Sequence, residues 1–164
     1  MTGWTFSPIA PEDGTAIIDI FNHYIVHSFA AYPEQKVPYE FFSLFLAQAQ
    51  AYPSVVARSM DSSIAGFGLL RAHNPMPAFR HTAEITEFIR PEMTGKGLGT
   101  AMLEHLEAAG KEQGLTTLLA SISSLNEGSI RFHECRGFRR CGQFNNVGIK
   151  NGVVFDTVWM QKFI

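Results

Sequence analysis

The residues best suited to chemistry lie together between Thr82 and Thr100. A run of β-branched and apolar residues from Ala83 to Ile89 carries a glutamate, Glu84, and is followed by glycines at positions 95, 97 and 99. Glycines let a backbone come close to a ligand, and the start of a helix adds about half a positive charge. A strand, a glycine loop and a helix in this order predict a site for a phosphorylated ligand, with a carboxylate on the strand leading into it.

The common nucleotide motifs do not fit this loop. A Walker A loop needs Gly-Lys followed by Ser or Thr at a fixed spacing, and a dinucleotide fingerprint needs G-x-G-x-x-G, whereas these glycines run G-x-G-x-G from Gly95. The other interpretation of the loop alone is a glycine-rich turn before an ordinary helix. Three glycines in five residues favour ligand binding over such a turn, because each glycine costs backbone entropy.

Composition narrows the class of protein. The 164 residues suit one domain spanning 1–164, and 46% hydrophobic with 17% charged residues is typical of a globular protein. A net charge of −2 and the lack of a Lys/Arg run argue against nucleic acid as a partner.

No apolar stretch is long enough to span a membrane, and the first fourteen residues lack the pattern of a signal peptide, so we expect a cytoplasmic location. We expect the two cysteines to be reduced. Because the cysteines and histidines lack the spacing of metal ligands, we expect no metal site.

Periodicity and breaking residues give the elements that must position the loop. Seven strands are predicted, at Thr5–Ile9, Val55–Arg58, Ile64–Arg71, Ala83–Ile89, Thr116–Ser121, Arg139–Phe144 and Val153–Lys162. Four helices are predicted, at Pro11–His27, Tyr39–Gln50, Leu98 to near Gly114, and Asn126–Cys135. The order β-α-α-β-β-β-α-β-α-β-β predicts an α/β (α+β) fold with a mixed sheet and helices on both faces.

Five segments in the right order resemble a known family. They are Ile20–Tyr24 (IFNHY), Phe79–Glu84 (FRHTAE), Gly95–Gly99 (GKGLG), Asn126–Phe138 (NEGSIRFHECRGF) and Val147–Lys150 followed by Asp156. The chain resembles, nearly end to end, the GNAT superfamily of N-acetyltransferases, and within it the phosphinothricin and methionine-sulfoximine acetyltransferase branch. The resemblance implies a GNAT fold of about seven mostly antiparallel strands, splayed at an acetyl-CoA site.

The resemblance also implies which residues bind acetyl-CoA. Two neighbouring strands of these folds part after the glutamate strand, which leaves the backbone of Phe88 and Ile89 for the pantetheine arm. The pyrophosphate would be held by the loop and helix start: Thr94, Gly95, Lys96, Gly97, Leu98, Gly99 and Thr100. Asn126 would reach the pantetheine arm, or serve only as the cap of its helix, and Ser129 is a further candidate.

Acetyl transfer to an amine needs a group that accepts the amine proton and a proton for the leaving thiolate. By position in the branch, Glu84 is the expected base and His133 the expected partner of the thiolate or of a water. Glu87 points to the opposite face of the strand, and we expect it to be paired structurally. Phe29, Tyr32 and Phe79 could form an acceptor wall, although core packing is the expected role of each.

Some positions differ from the family pattern. Thr94 stands where the superfamily has Arg or Gln, and residues 151–154 replace the F-G-R-W of the branch. The resemblance implies direct acetyl transfer to the primary amine of a small molecule, an amino acid or analogue, by a homodimer without a metal. The alternative is a non-catalytic acyl-CoA-binding or regulatory domain, and a protein-directed acyltransferase is a further one.

Overall fold

The strands and helices follow each other in the predicted order. The computed structural model describes residues 3–164. Within them the strands are Thr5–Ser7 (β1), Ser54–Arg58 (β2), Ile64–Ala72 (β3), Thr82–Ile89 (β4), Thr117–Ser123 (β5), Arg139–Lys150 (β6) and Val153–Phe163 (β7). The helices are Gly14–His27 (α1), Phe42–Ala51 (α2), Leu98–Glu112 (α3) and Glu127–Cys135 (α4). The predicted element order is therefore confirmed.

The strands form one mixed sheet in the order β1-β2-β3-β4-β5-β7-β6. Along residues 3–164, β4 and β5 pair in parallel and every other neighbouring pair is antiparallel. Helix α3 crosses over from β4 to β5, which is the connection that a parallel pair requires. The predicted mixed, mostly antiparallel fold is confirmed, and the parallel pair lies at the centre of the sheet beside the glycine loop.

Two apolar cores lie on the two faces of the sheet. Helix α3 contributes Leu98, Met102, Leu103 and Leu106 to one of them. Helices α1 and α2 cover the other face, where phenylalanines meet ring to ring: Phe21 with Phe45 at 5.2 Å between centroids, and Phe67 with Phe88 at 5.6 Å. Each buried side chain of this size contributes roughly 1.5–3 kcal/mol. The cores fix β4 between α3 and α1, so both faces of the strand are anchored.

Strand β6 is longer than predicted. The sequence predicted its end at Phe144 with residues 145–152 as a connection, but the strand continues to Lys150 and turns at Asn151-Gly152, whose φ angles of 49° and 78° suit a tight hairpin. The ladder shifts register between Phe144 and Gly148. Asp156 holds this bulge by accepting hydrogen bonds from the Asn146 amide and the Gln143 side chain, both at 2.7 Å.

Three smaller boundaries also differ. Strand β1 ends at Ser7 instead of Ile9. Pro8 has no N–H for the ladder, and the Ile9 amide donates instead to the Ser54 hydroxyl at 3.0 Å. The first turns of the two predicted amino-terminal helices are 3-10 turns, Pro11–Asp13 and Tyr39–Phe41, before α1 and α2 proper begin.

Candidate active site

A cleft opens in the sheet where β4 and β5 part. Along residues 3–164 the two strands pair only through 82–84 with 117–119. A cavity of about 660 Å³ begins there and lies between residues 85–89 of β4 and 120–123 of β5. The glycine loop, the start of α3 and one side of α4 complete its wall. The volume is that of a site for a small-molecule ligand or cofactor.

The glycine loop presents backbone N–H groups at one end of this cavity. Gly97 has a φ of 84°, in the left-handed region, and α3 starts directly after it. The first helical hydrogen bond runs from the Ala101 amide to the Gly97 carbonyl at 3.1 Å, so the amides of residues 98–100 have no partner within the helix. A Cβ at Gly99 would lie 3.2 Å from Ile89 Cδ1 and 3.4 Å from the Phe132 ring. The left-handed backbone favours glycine at position 97, whereas a Cβ at position 99 would require the Ile89 and Phe132 side chains to shift by a few tenths of an ångström.

The predicted loop residues take different places. Five of the seven, namely Thr94, Gly95, Gly97, Gly99 and Thr100, form part of the cavity wall. The side chain of Leu98 is 1% exposed and packs in the core under α3. Lys96 is exposed, with its Nζ 3.8 Å from Met93 Sδ. Leu98 is therefore available to a ligand through its amide only, whereas Lys96 brings an exposed positive charge to the loop.

Both hydrogen-bond donors of Thr94 are used within the turn that begins at Pro91. Its hydroxyl donates to the Pro91 carbonyl at 2.8 Å, and its amide donates to the same carbonyl at 3.2 Å. Neither donor is directed to a bound anion, so Thr94 does not replace the Arg or Gln of the superfamily pattern. A second positive side chain is nearby, because Arg136, after α4, is exposed and lines the cavity.

The end of β4 is fastened to α1. Phe88 and Ile89, both predicted binding residues, lie in the cavity wall and pair with β3 through Phe67 and Gly66 on the other edge of the strand. The Tyr24 hydroxyl donates to the Ile89 carbonyl at 2.6 Å. Burial, and secondarily the charge of Glu92, raises the pKa of the Tyr24 phenol, which keeps it a donor. The edge of β4 that faces the cavity is thus held rigidly.

Helix α4 brings three predicted residues to the opposite wall. Asn126 caps the helix, since its Oδ1 accepts from the Ser129 amide at 3.3 Å, and it also lines the cavity. The His133 ring is buried, and its Nδ1 donates to the Ser129 carbonyl at 2.8 Å. Burial lowers the pKa of His133, although that hydrogen bond opposes the effect. A neutral ring with its proton on Nδ1 leaves Nε2 as an acceptor, and His133 lines the cavity.

Glu84 lies at the point where the strands part. Its Oε2 accepts from Arg71 Nη2 at 2.5 Å, and its Oε1 is 3.0 Å from His73 Nδ1. Arg71 also donates to the Thr86 hydroxyl at 2.6 Å, which places Glu84 and Thr86 on the same face as predicted. The cavity wall on β4 begins at Ile85, so Glu84 lies one residue outside it, on the α1 side of the sheet.

Aromatic side chains surround this carboxylate cluster on the acceptor side. Trp159 and Phe79 contact the His73 ring edge-on, with centroid distances of 6.0 and 6.1 Å. Tyr32 stacks on Phe155 at 5.5 Å. Tyr32 and Phe79 are 44% and 42% exposed, so the expectation of core packing was wrong for both. Tyr32 and Phe79 are therefore exposed over the sheet, whereas Phe155 is buried beneath Tyr32.

Glu87 lacks the structural partner we expected. It lies on the α3 face, where its Cγ packs over Gly68 beside Leu106. Its Oε1 is buried and has no hydrogen-bond partner among residues 3–164. Burial, and secondarily the charge of Glu107, raises the pKa of Glu87 to about 8. The carboxyl is therefore mostly protonated at neutral pH, which avoids the cost of a buried unpaired charge.

Lys150 is a structural residue that the sequence did not single out for this role. Its ammonium donates to the carbonyls of Ile25, Ser28 and Ala31 at 2.6, 2.8 and 2.7 Å, and the residue is 2% exposed. These carbonyls belong to the end of α1 and the loop that carries Tyr32. Lys150 therefore fixes the acceptor-side loop to β6.

Three further functional candidates were missed: Tyr24 as a strand anchor, and Arg71 and His73 as partners of Glu84. The register of β3 on β4, with Arg71 opposite Glu84, was the signal available, because residues directly opposite each other share a face.

No group of three His, Cys, Asp or Glu side chains suited to a metal occurs among residues 3–164. In the same part of the chain, no helix is both long and apolar enough to cross a membrane.

Comparison with known proteins gives a family and named relatives. The model of the acetyltransferase (GNAT) family matches residues 16–138. The L-amino acid N-acyltransferase MnaT of Escherichia coli (strain K12) is 29% identical over 150 residues, covering 91% of this chain and 87% of that protein. An L-methionine sulfoximine/L-methionine sulfone acetyltransferase of Pseudomonas paraeruginosa is 36% identical over 112 residues, covering 68% of this chain and 65% of that protein.

A solved structure gives the same fold. A GNAT superfamily phosphinothricin acetyltransferase from Sinorhizobium meliloti, in complex with AcCoA, superposes with a TM-score of 0.93 at 27% identity. The match covers 99% of this chain and 89% of that one. The similarity therefore extends over the sheet, the cleft and both helical layers.

Proposed function

Because the chain belongs to the GNAT family of acetyltransferases, we propose that it acetylates the primary amine of a free amino acid or amino-acid analogue. The chain is an acetyl-CoA-dependent N-acetyltransferase of this family. The observation that carries the proposal is the parting of β4 and β5 into a cavity that ends at the glycine loop and the start of α3. The non-catalytic alternative is not favoured, because the relatives are named acyl- or acetyltransferases.

The cavity supplies the groups that acetyl-CoA requires. We propose that the amides of residues 95–100 bind its pyrophosphate, since a helix start favours an anion. The backbone of Phe88 and Ile89, with the side chains of Asn126 and Ser129, would bind the pantetheine arm. Leu98 contributes only its amide, and Lys96 and Arg136 supply positive charge near the phosphates. Thr94 keeps the turn in shape through Pro91.

The proposed transfer is direct. A neutral amine attacks the thioester carbonyl carbon, the C–S bond breaks, one N–H proton leaves the amine, and the thiolate takes up a proton. His133 is neutral at pH 7, because burial lowers its pKa. Its Nε2 then accepts a hydrogen bond from a water or from the thiol that forms. That arrangement matches the water-linked role predicted for His133 better than a charged acid would.

We propose that the Glu84 carboxylate promotes the removal of the amine proton. It carries a negative charge on the acceptor side of the sheet, immediately before the strands part. General base assistance contributes about 10²–10⁴-fold to such reactions. Arg71 and His73 fix the orientation of the carboxylate, so its charge is placed before any substrate arrives.

The acceptor side suits a molecule with a carboxylate and a modest apolar side chain. The Arg71 side chain is 37% exposed, and its guanidinium has further donors beyond those used by Glu84 and Thr86. Tyr32, Phe155 and Trp159 supply apolar rings beside it. The names of two relatives, an L-amino acid acyltransferase and a methionine sulfoximine/sulfone acetyltransferase, support an acceptor of this class.

We also propose that the protein is a homodimer. The β6–β7 hairpin exposes a run of apolar side chains: Phe144, Val147, Ile149, Val153 and Val154. Exposed apolar surface of this kind is typical of a protein–protein interface. The resemblance to a branch of commonly dimeric enzymes supports a second copy as the occupant. The cytoplasmic location stays a prediction.

A CoA-release assay tests the proposed function. Acetyl-CoA would be supplied with a panel of L-amino acids, L-methionine sulfoximine, L-methionine sulfone, polyamines and aminoglycosides, and the thiol detected by a colorimetric reagent. We expect turnover on an amino acid or analogue, reduced at least about tenfold in Glu84→Gln. Turnover on polyamines or aminoglycosides alone would refute the acceptor class, and no turnover on any amine would refute the function.

A further inference from the structure

The two oxygens of Glu84 are both engaged. Arg71 Nη2 lies 2.5 Å from Oε2, and His73 Nδ1 lies 3.0 Å from Oε1. The Glu84 side chain is only 12% exposed. The guanidinium offsets much of the carboxylate charge, so Glu84 is poorly placed to take a proton directly from an amine. A carboxylate held in this way is better suited to orienting a neighbouring base.

His73 is oriented by that contact. A neutral imidazole that donates from Nδ1 to Oε1 keeps its lone pair on Nε2, on the other side of the ring. Phe79 and Trp159 contact the ring edge-on at 6.1 and 6.0 Å, which limits its rotation. The side chain is 32% exposed, so Nε2 can meet a substrate and then solvent. Imidazole is also the side chain whose ordinary pKa lies closest to neutral pH.

A short path of contacts leads from His73 to the cavity. Its ring contacts Trp159, and Trp159 pairs directly with Ser121 across β5 and β7. Ser121 lines the cavity, as does Tyr32. The charged and titratable groups around the ring are Glu84 on β4, Arg71 on β3 and, one contact further away, Tyr32. His73 therefore lies beside the cavity wall rather than in it, and is joined to it through Trp159 and Ser121.

We propose that His73 is the catalytic base and that Glu84 is its positioning residue, an inference that rests on the proposed acetyltransferase function. As the amine nitrogen bonds to the thioester carbon, one N–H bond breaks and its proton moves to the lone pair on His73 Nε2. The imidazolium keeps its Nδ1–H directed to Glu84 Oε1, which stabilises the new positive charge. The proton then leaves from the exposed ring edge to solvent, and the thiolate is protonated from water.

Chemical rescue separates a base from a structural partner. His73→Ala should lower kcat/KM for the best acceptor of the CoA-release panel by about 10²-fold or more, while the KM for acetyl-CoA stays unchanged. Added imidazole should restore kcat in this variant in a saturable way, because it supplies the missing lone pair. His81→Ala is the matched control, since His81 is exposed and close to the same strand. Its kcat/KM should stay within about twofold of the wild type.

A second variant keeps the test decisive if His73→Ala folds poorly. His73→Asn retains an N–H that can donate to Glu84 but has no basic lone pair. We expect it to fold like the wild type and to be as inactive as His73→Ala. Wild-type kcat/KM in His73→Asn, or a loss in His73→Ala that imidazole does not restore, would overturn the assignment of His73. If the wild-type protein itself releases no CoA with any amine, the proposed function fails and this assignment fails with it.

Discussion

The Tyr24 hydroxyl donates a 2.6 Å hydrogen bond to the carbonyl of Ile89, joining α1 to the last residue of β4. The Tyr24 ring also packs on Phe88 with a centroid distance of 5.4 Å. The contact therefore fixes the cavity-lining end of β4 from the opposite face of the sheet. The cleft between β4 and β5 and helix α1 are therefore joined at this point.

Tyr24→Phe tests that contact, because it removes the hydroxyl and keeps the ring. We expect a loss of about 1 kcal/mol in the free energy of unfolding, the usual value of such a hydrogen bond, and a severalfold higher KM for acetyl-CoA. Urea unfolding and initial-rate kinetics would measure the two effects. Tyr39→Phe is the control, since the Tyr39 hydroxyl bonds Asp19 at the exposed surface. Equal effects of the two substitutions would refute the anchoring role.

Glu87 makes stability depend on pH. Its pKa is raised from 4.5 to about 8 in the folded protein, so the unfolded chain loses this proton at lower pH than the folded one does. The protonated carboxyl makes its whole contribution to the free energy of unfolding below about pH 4.5, and this contribution is lost as the pH rises towards 8. Glu87→Gln should therefore leave stability unchanged at pH 4.5 and raise it at pH 8 by several kcal/mol, at about 1.4 kcal/mol per pKa unit.

Urea unfolding at the two pH values measures this effect. Glu104→Gln, on the exposed side of α3, serves as the control and should change stability by less than about 0.5 kcal/mol at either pH. A gain for Glu87→Gln that is the same at both pH values would contradict a protonated carboxyl at this position. A loss of stability at pH 8 would contradict it as well.

Lys150→Met should be strongly destabilising. It would leave the three carbonyls of Ile25, Ser28 and Ala31 without their donor in a buried place. We expect a loss of about 3 kcal/mol or more in the free energy of unfolding, because each buried carbonyl left without a donor costs roughly 1–3 kcal/mol, together with lower kcat/KM because the loop carrying Tyr32 loosens. Lys111→Met, at an exposed position near the end of α3, is the matched control. A loss below about 1 kcal/mol in Lys150→Met would contradict the three-carbonyl contact.

Arg136→Leu should weaken acetyl-CoA binding. Arg136 lines the same cavity as the glycine loop, where Thr94 offers no charge of its own. A charge-assisted contact contributes roughly 1.5–3 kcal/mol, so we expect the Kd measured by calorimetry to rise about tenfold or more at low salt, with a smaller difference at high salt. Arg131→Leu, whose guanidinium pairs with Glu127 on the exposed face of α4, should leave the Kd unchanged. Equal Kd values for the wild type and Arg136→Leu would show that Arg136 does not contribute to acetyl-CoA binding.

The element order could be predicted because its signals are local. Apolar periodicity and breaks at Gly and Pro mark each strand and helix without knowledge of the fold. The extension of β6 could not be, since it depends on Asp156, whose carboxylate holds Asn146 ten residues earlier in the chain. The residues 145–152 are rich in Asn and Gly, which are depleted in strands, and the sequence alone therefore favours a loop.

Part of the candidate site could also be predicted from the sequence. The glycine loop and α4 are each formed by consecutive residues, so their patterns are visible without knowledge of the fold. The partners of Glu84 were not found, because Arg71 and His73 lie 13 and 11 residues earlier and meet the carboxylate only through the β3–β4 register. The sequence predicted a structural partner for Glu87. The structure instead buries its carboxyl, and burial together with the charge of Glu107 raises its pKa. Nothing in the neighbouring sequence indicates that environment.

The central claim is that this chain transfers the acetyl group of acetyl-CoA to a small primary amine. The most direct test is mass spectrometry of the acceptor after incubation with acetyl-CoA, combined with quantification of released CoA. We predict one N-acetylated amino acid or analogue, formed in equal amount to the CoA released and absent when acetyl-CoA is omitted. Saturable binding of acetyl-CoA with no acetylated amine in the whole panel would contradict the claim and leave a binding domain.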